Sequence, residues 1–482
     1  MKLTLMRWII ALCIGFTFAF GCHGSAEMSL EGNLASSLRD LKSGDSAKRR
    51  EAAVTIGEMG PKSAVRAHVA DLLAAINDQN GEVRRAVILA LMDAEAEAND
   101  VLPRLMQTAE HDSDAEVRAA ALVALVHLCR DNEEIRDVLI KTLEDPNHRL
   151  RRCAASMLAF LGPKAECAVP VLTERLNDED ISVQVESIRA IGMINKEGHV
   201  EAVEKAVDLL TELTKDKERV IRPSLIRILS LFGAQAERAV PVLIAILEDQ
   251  NEDEVTRSFV PTCLVKISAD KSVLEILVAV LHGESLGPRS EAAKALGIMG
   301  PKAKTAIPEL VEALSYGDWW NDSQIHKEAA RALGNIGPSA TSALRDLKKL
   351  SESGMIEVRV EALNAMAHIN PRDPYPFTEL LEMAGSSQPS DYRKAAIQVI
   401  SELGFKSEFV DLIRNALHDK EQSVRLAAIV ALASFGKKAA DAIPDLRNLV
   451  ENDPSGTISV YAYEAIKVLQ GKVSDYLPTT AR

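Results

Sequence analysis

Aromatic side chains are scarce in this chain of 482 residues: they make up 4% of it, and there are three tryptophans. Such a core cannot rest on a few bulky rings. Ala, Leu, Val and Ile must fill it in many small, similar layers. Cysteines are few as well, and only Cys129, Cys153, Cys167 and Cys263 lie beyond the N-terminal segment. No Cys-x-x-Cys spacing occurs, which removes the usual zinc and redox motifs. Cys129 and Cys153 fall at offset places on successive expected helices, too far apart for a disulfide. All four are read as small buried hydrophobes. Basic charge is in deficit, with a formal net charge of −14, and this argues against a nucleic-acid partner. Strand-type alternation is missing throughout. The one long apolar run near the N-terminus, Trp8 to Phe20, is too short for a comfortable membrane span.

That run has Lys2 and Arg7 ahead of it and ends at Ala19-Phe20-Gly21-Cys22. A basic n-region followed by an apolar h-region has the form of an export signal. The end of it resembles a bacterial lipoprotein signal, with Ala19 and Phe20 in place of the usual Leu and small residue. The resemblance implies cleavage after Gly21 and lipidation of Cys22. Residues 1–21 are then the signal and 22–33 a polar tether. The expected location is on a membrane, facing the periplasm or cell exterior, with the outer membrane favoured because His23 is no retention signal; free secretion and an uncleaved anchor are the alternatives.

What the chain has in abundance is repetition. DSDAEVRAAALVALVHL (112–128) returns as DKEQSVRLAAIVALASFG (419–436). Pairs like Val117-Arg118 recur at Val83-Arg84, Leu150-Arg151, Ile221-Arg222, Val358-Arg359, Tyr392-Arg393 and Val424-Arg425. Looser copies start at Val183, Val255, Pro288, Ile325 and Ile458, with steps of about 32–38 residues, the period of a solenoid. Each unit predicts two helices. The first often has an early proline (Pro103, Pro170, Pro241, Pro308, Pro444), where a missing N–H costs least. The second reads V-R-x-A-A-x-x-A-L, with Asp, Ser or Asn before it as a cap. It often ends in Gly-Pro (Gly60, Gly162, Gly300, Gly337), which predicts a left-handed glycine and a stop.

These motifs resemble HEAT repeats, and in particular the short HEAT-like type of the phycobilisome (bilin) lyases, over residues 34–471. The resemblance implies an all-α solenoid, a right-handed superhelix of about 12–13 helical hairpins, with residues 472–482 as a tail. It also implies a polar ladder between neighbouring repeats, carried here by Asp78 with Arg84, Asp112 with Arg118, Asp145 with Arg151 and Asp419 with Arg425. Repeats at Val183, Val255 and Ile458 lack the Arg, and the ladder is expected to break there. A hairpin this short cannot bury its own apolar face, so it stacks on copies of itself. Ala120, Ala121 and Ala124 permit close stacking.

Catalytic look-alikes carry little. Gly283-Glu284-Ser285-Leu286-Gly287 fits G-x-S-x-G, but it lies between two expected helices rather than after a strand. His111, His282 and His418 end first helices, where a cation suits the dipole, and lie too many repeats apart to share a metal. HEAT-like di-iron hydroxylases carry repeated His-Glu pairs; here His326-Lys327-Glu328 is the nearest match. No metal, cofactor or catalytic residue is therefore expected.

The differences between repeats are more informative. Two and six residues after the Val, on one face of the second helix, stand Arg85, Arg152, Arg257, Lys327 and Lys394, then Arg189, Arg227, Lys294 and Arg331. In HEAT proteins that helix lines the concave side. Only Glu464 is acidic at these positions, while acids gather in turns such as 177–182 and 248–254. The basic stripe is either a partner-binding surface, with an acidic partner as its complement, or a set of long stems covering apolar area. The turn SYGDWWNDSQ (315–324) is longer than its equivalents and holds Tyr316, Trp319 and Trp320, either an exposed anchor or a plug between repeats. The expectation is a non-enzymatic extracytoplasmic scaffold that binds an extended or multi-domain protein along a groove on the order of 100 Å long. It meets the membrane only through its anchor. The alternatives are an enzyme of the bilin-lyase or hydroxylase kind and a binder of acidic polymers.

Overall fold

The structure is a computed structural model that describes residues 30–58, 66, 68–94, 96–130, 132–195, 200–212, 221–317, 322–404 and 407–472. Helices are the only regular elements among the described residues, and they form thirteen pairs. The chain divides into two compact units, one ending at Val242 and one starting at Leu243, the boundary falling inside the helix Val240–Glu248. In the first unit the second helices are Ser46–Glu58, Gly81–Asp93, Ala115–Leu128, His148–Leu161, Ile181–Ile194 and Arg222–Phe232. In the second unit they are Glu254–Ile267, Leu286–Met299, Ser323–Ile336, Ile356–Ile369, Ser390–Leu403, Gln422–Phe435 and Gly456–Leu469. The Cys22 site, the Trp319-Trp320 pair and the 473–482 part of the tail lie outside the described residues.

Several second helices begin where a short polar side chain takes their first orphan N–H groups. Asn80 accepts from Glu82 N, Asp114 from Glu116 N, Asn147 from Arg149 N and Asp180 from Ser182 N. The helix then packs on its own first helix and, within each unit, on the second helices of its neighbours. Sandwiched this way, it buries more than one face. In Ala115–Leu128 every residue from Ala119 to Val126 is buried. Gly297 and Gly334 show how close the stacking is. A Cβ on Gly334 would lie 2.9 Å from the Cα of Ala365, and one on Gly297 would lie 3.1 Å from the Cα of Ala332.

Two local expectations are corrected. Gly162, Gly300 and Gly337 have positive φ, while Gly60 lies outside the described residues, but Gly300 (φ 56°, ψ −132°) is not in the left-handed helical well. It occupies a region open essentially to glycine alone, because the chain must turn straight into the 3-10 stretch Gly300–Ala306. Pro170, Pro308 and Pro444 do open their first helices, whereas Pro103 sits inside Ala98–His111. That repeat has no Gly-Pro turn before it, so its helix starts earlier.

Candidate functional site

In several repeats the recurring arginine is held in both directions along the stack. Arg84 donates from Nη1 to the carbonyl oxygen of Asp78 in its own repeat, at 2.8 Å. Its Nε and Nη2 reach the carboxylate of Asp112 in the next repeat, at 2.7 and 2.6 Å. The same two-sided grip joins Arg151 to the Asp145 carbonyl and the Asp178 carboxylate. It also joins Arg425 to the Asp419 carbonyl and the Asp453 carboxylate. Arg118 holds the Asp112 carbonyl and lies 3.5 Å from the Asp145 carboxylate. Arg49–Asp78 and Arg393–Asp419 complete the bidentate set. The ladder is therefore present with its partners reassigned. Each carboxylate belongs to the arginine of the preceding repeat, because the guanidinium outreaches its own turn. Each such Asp also accepts a backbone N–H two residues on, as Asp78 does from Asn80 and Asp178 from Asp180.

These bonds set the charge states. The hydrogen bond from Arg49 holds the Asp78 carboxyl below its ordinary pKa. Burial alone would raise Asp178 and Asp419, but their arginine and backbone donors outweigh it and keep both below the usual range. Gln184, Thr256, His326 and Ser459 replace the arginine in four repeats, and a bond to a carbonyl of the same repeat survives in three of them. Gln184 donates to the Asp178 carbonyl at 2.6 Å and Ser459 to the Leu449 carbonyl at 3.3 Å. Thr256 instead turns to Asp253. At Arg289 the next repeat offers a ring instead of a carboxylate: the guanidinium lies 3.5 Å from the centroid of Tyr316. The buried His326 Nε2 then donates to the Tyr316 carbonyl at 2.8 Å. Tyr316, expected as a partner anchor, thus stands partly exposed and partly engaged as a rung of the ladder.

The face expected to carry a basic stripe is more mixed than its two chosen positions suggest. One residue beyond the first of them stand Glu186, Glu291, Glu328 and Glu361, on the same helix faces. Arg189 donates to Glu186 at 2.8 Å and to Ser156 at 2.9 Å. Lys294 pairs with Glu291 at 3.1 Å, and Arg257 donates to Ser285 Oγ at 2.9 Å. The expectation that acids are kept off this face is corrected: a helical step of three brings them beside the bases. Arg227 and Lys294 are exposed, while Arg85, Arg152, Arg189, Arg257, Lys327, Arg331 and Lys394 are half-buried, as long stems lying along a packed surface would be.

In the second unit this face opens into a cleft of about 190 Å³, lined among others by Arg331, Glu361, Asn364, His368 and Glu402. Three successive second helices supply it. Arg331 clamps Glu361 of the next helix at 3.2 and 2.7 Å and also pairs with Glu328 one turn back, at 3.1 Å. Asn364 extends the chain of contacts, donating from Nδ2 to Glu402 at 3.3 Å. Glu328, Glu361 and Asn364 are buried. Glu402 stands at the rim. Loss of solvent in the cleft, and then the charge of Glu361, push its carboxyl above the ordinary pKa against the pull of Arg331 and His368. Sequence reasoning named Arg331 but missed the acids. The signal available was the Glu at the same place in three successive repeats.

Ser285 lies in the turn between Lys271–Leu281 and Leu286–Met299, where it accepts from Arg257. Cys129, Cys153 and Cys263 are buried, and burial pushes the Cys263 thiol up to about 12. Cys167 is exposed, against expectation, because its 3-10 turn points Ala165 and Ala168 inward instead. No group of His, Cys, Asp and Glu that could hold a metal is found among the described residues.

A family profile for HEAT repeats matches residues 35–126, 102–178, 169–262 and 377–467. One for the PBS lyase HEAT-like repeat matches residues 288–316. No curated protein matches the chain. Among solved structures, a mutant of the karyopherin Kap121p is 13% identical with a TM-score of 0.53, over 99% of this chain and 60% of that one. Kap121p bound to the SUMO protease Ulp1p gives the same identity and TM-score, over 99% of this chain and 66% of that one. The chain thus spans less than two thirds of the karyopherin chains it matches. The CpcE–CpcF complex of phycocyanin lyase from Nostoc sp. PCC7120 is 18% identical, over 62% of this chain and 94% of that one, with a TM-score of 0.33. With a repeat model over more than half its length, and helical pairs stacked through an Asp–Arg ladder, the chain belongs to the HEAT-repeat family.

Proposed function

We propose that this protein is a non-enzymatic, lipid-anchored scaffold outside the cytoplasm, which binds an extended or multi-domain protein along the exposed face of its second helices. The observation that carries this is the contrast between constant and variable positions. Caps and ladder rungs repeat along the chain, so they specify stacking. The polar residues of the second-helix face vary more along the chain, and in the Arg331–Glu402 cleft they line open space as well as bridging neighbouring helices. One related fold is seen in use as a binding surface, in Kap121p bound to the SUMO protease Ulp1p. The basic n-region, the apolar run and Cys22 support the anchor.

The test is a crosslinking pull-down from membranes with wild type and with Arg227→Glu and Lys294→Glu together. Both side chains are exposed, so the fold should tolerate the change. The expected result is a specific partner that the reversed protein captures at least tenfold less well, at an unchanged melting temperature. Equal capture by both proteins would remove the second-helix face from the proposal.

A further inference from the structure

The cleft holds a surplus of acid. Glu361 and Glu402 line it, and Glu328 beside it shares the one lining guanidinium, that of Arg331, with Glu361. Burying such groups is a poor way to stabilise a fold, since lost hydration offsets their attraction. A second observation is independent of charge. Asn364 is 8% exposed and lies in the cleft lining. Its Nδ2 is turned to Glu402, which leaves Oδ1 shielded from solvent and without a hydrogen-bond donor. An orphaned buried acceptor is costly, and a fold that retains one beside the Glu402 carboxylate has room for a cationic donor.

We propose that this cleft binds a primary ammonium group, the tip of a lysine side chain carried by the protein partner. An ammonium is compact, carries three donors and has no acceptor, which suits the acceptors left in the lining: Asn364 Oδ1, the Glu402 carboxylate and the second lone pairs of Glu361, beside Asn335 and His368. At about 190 Å³ the cleft falls below the roughly 300–1,000 Å³ of small-molecule pockets and fits the end of one side chain. The raised pKa of Glu402 is consistent with a carboxylate waiting for a positive partner. The inference rests on the reading of the second-helix face as the binding surface, and it reverses the charge of the partner group at this point. The complement here is basic rather than acidic.

Calorimetric titration of the full chain tests it with three probes: a short peptide bearing one lysine, the same peptide acetylated at Nζ, and butane-1,4-diamine. The lysine peptide should bind. Acetylation, which removes the charge and two donors, should weaken binding at least tenfold. Glu402→Gln should do the same to the unmodified peptide without lowering the melting temperature. Equal binding of the acetylated peptide overturns the proposal, and that comparison needs no variant to fold. Binding of the diamine without the peptide overturns the lysine source and assigns the cleft to free amines. Binding of none overturns the proposal, while leaving the outcome of the membrane pull-down unaffected.

Discussion

Asp178 shows what one ladder residue contributes. Its side chain and that of Arg151 are 2% and 6% exposed, and the two meet through a pair of bonds at 2.8 and 2.7 Å. Asp178→Asn leaves a buried guanidinium without its counter-charge, and breaking such a pair costs about 3–5 kcal/mol. Urea unfolding should show that loss; a change below about 0.5 kcal/mol would mean that Glu179, also 3.2 Å from Arg151, takes over. The same residues set the response to acid. Asp78, Asp178 and Asp419 have folded pKa values below the usual carboxylate value. Their stabilisation is therefore complete above the unfolded pKa of about 3.9 and is lost as pH falls through the lower folded values. Melting temperature should be level with respect to these groups from neutral pH down to about 4 and then drop. In Asp178→Asn the drop should be shallower. An acid limb as steep as that of the wild type would remove Asp178 from the account. The cap and ladder residues were legible in sequence because they recur. The partner of each arginine was not, since a guanidinium can reach either its own turn or the next.

A second helix is defined by how closely its neighbour approaches. Gly334 faces Ala365, with a virtual Cβ 2.9 Å from backbone and 3.2 Å from the Ala365 Cβ. Helix propensity alone would make alanine better than glycine by about 1 kcal/mol. Overpacking against a backbone that cannot turn aside costs about 1–3 kcal/mol and should win. Gly334→Val, with β-branching added, should lower the melting temperature more than Gly334→Ala, as followed by circular dichroism. A rise for either would show that the two helices can slide apart at no cost. The helices themselves were readable from caps, prolines and period. The early start of Ala98–His111 and the glycine backbone at Gly300 were not, because both depend on how a turn must aim the following helix.

On the scale of the molecule, stacking makes the chain a sum of neighbouring contacts, so a long array can be stable with few aromatic residues. Anchoring is a separate property. If Cys22 is lipidated, labelling with a fatty acid should mark the wild type, and Cys22→Ser should leave an unmarked protein absent from the membrane fraction. A wild type that takes up no label would sink the anchor and leave the solenoid as it is.

Taken alone, the sequence determined the class of element, the repeat and the ladder residue types, because each is written within about thirty residues and copied. Only the tertiary structure decided that Arg84 serves Asp112 and that Arg289 rests on a tyrosine ring. It also decided that Arg331, Glu361, Asn364 and Glu402 share one cleft. Those contacts join residues from different repeats, about 26–38 positions apart along the chain, and the distance between them is set by how closely one helix packs on the next. A stripe drawn at two positions per repeat cannot see the acid beside each base. The packed helices bring both to one surface, and the charge of that surface follows from the pair.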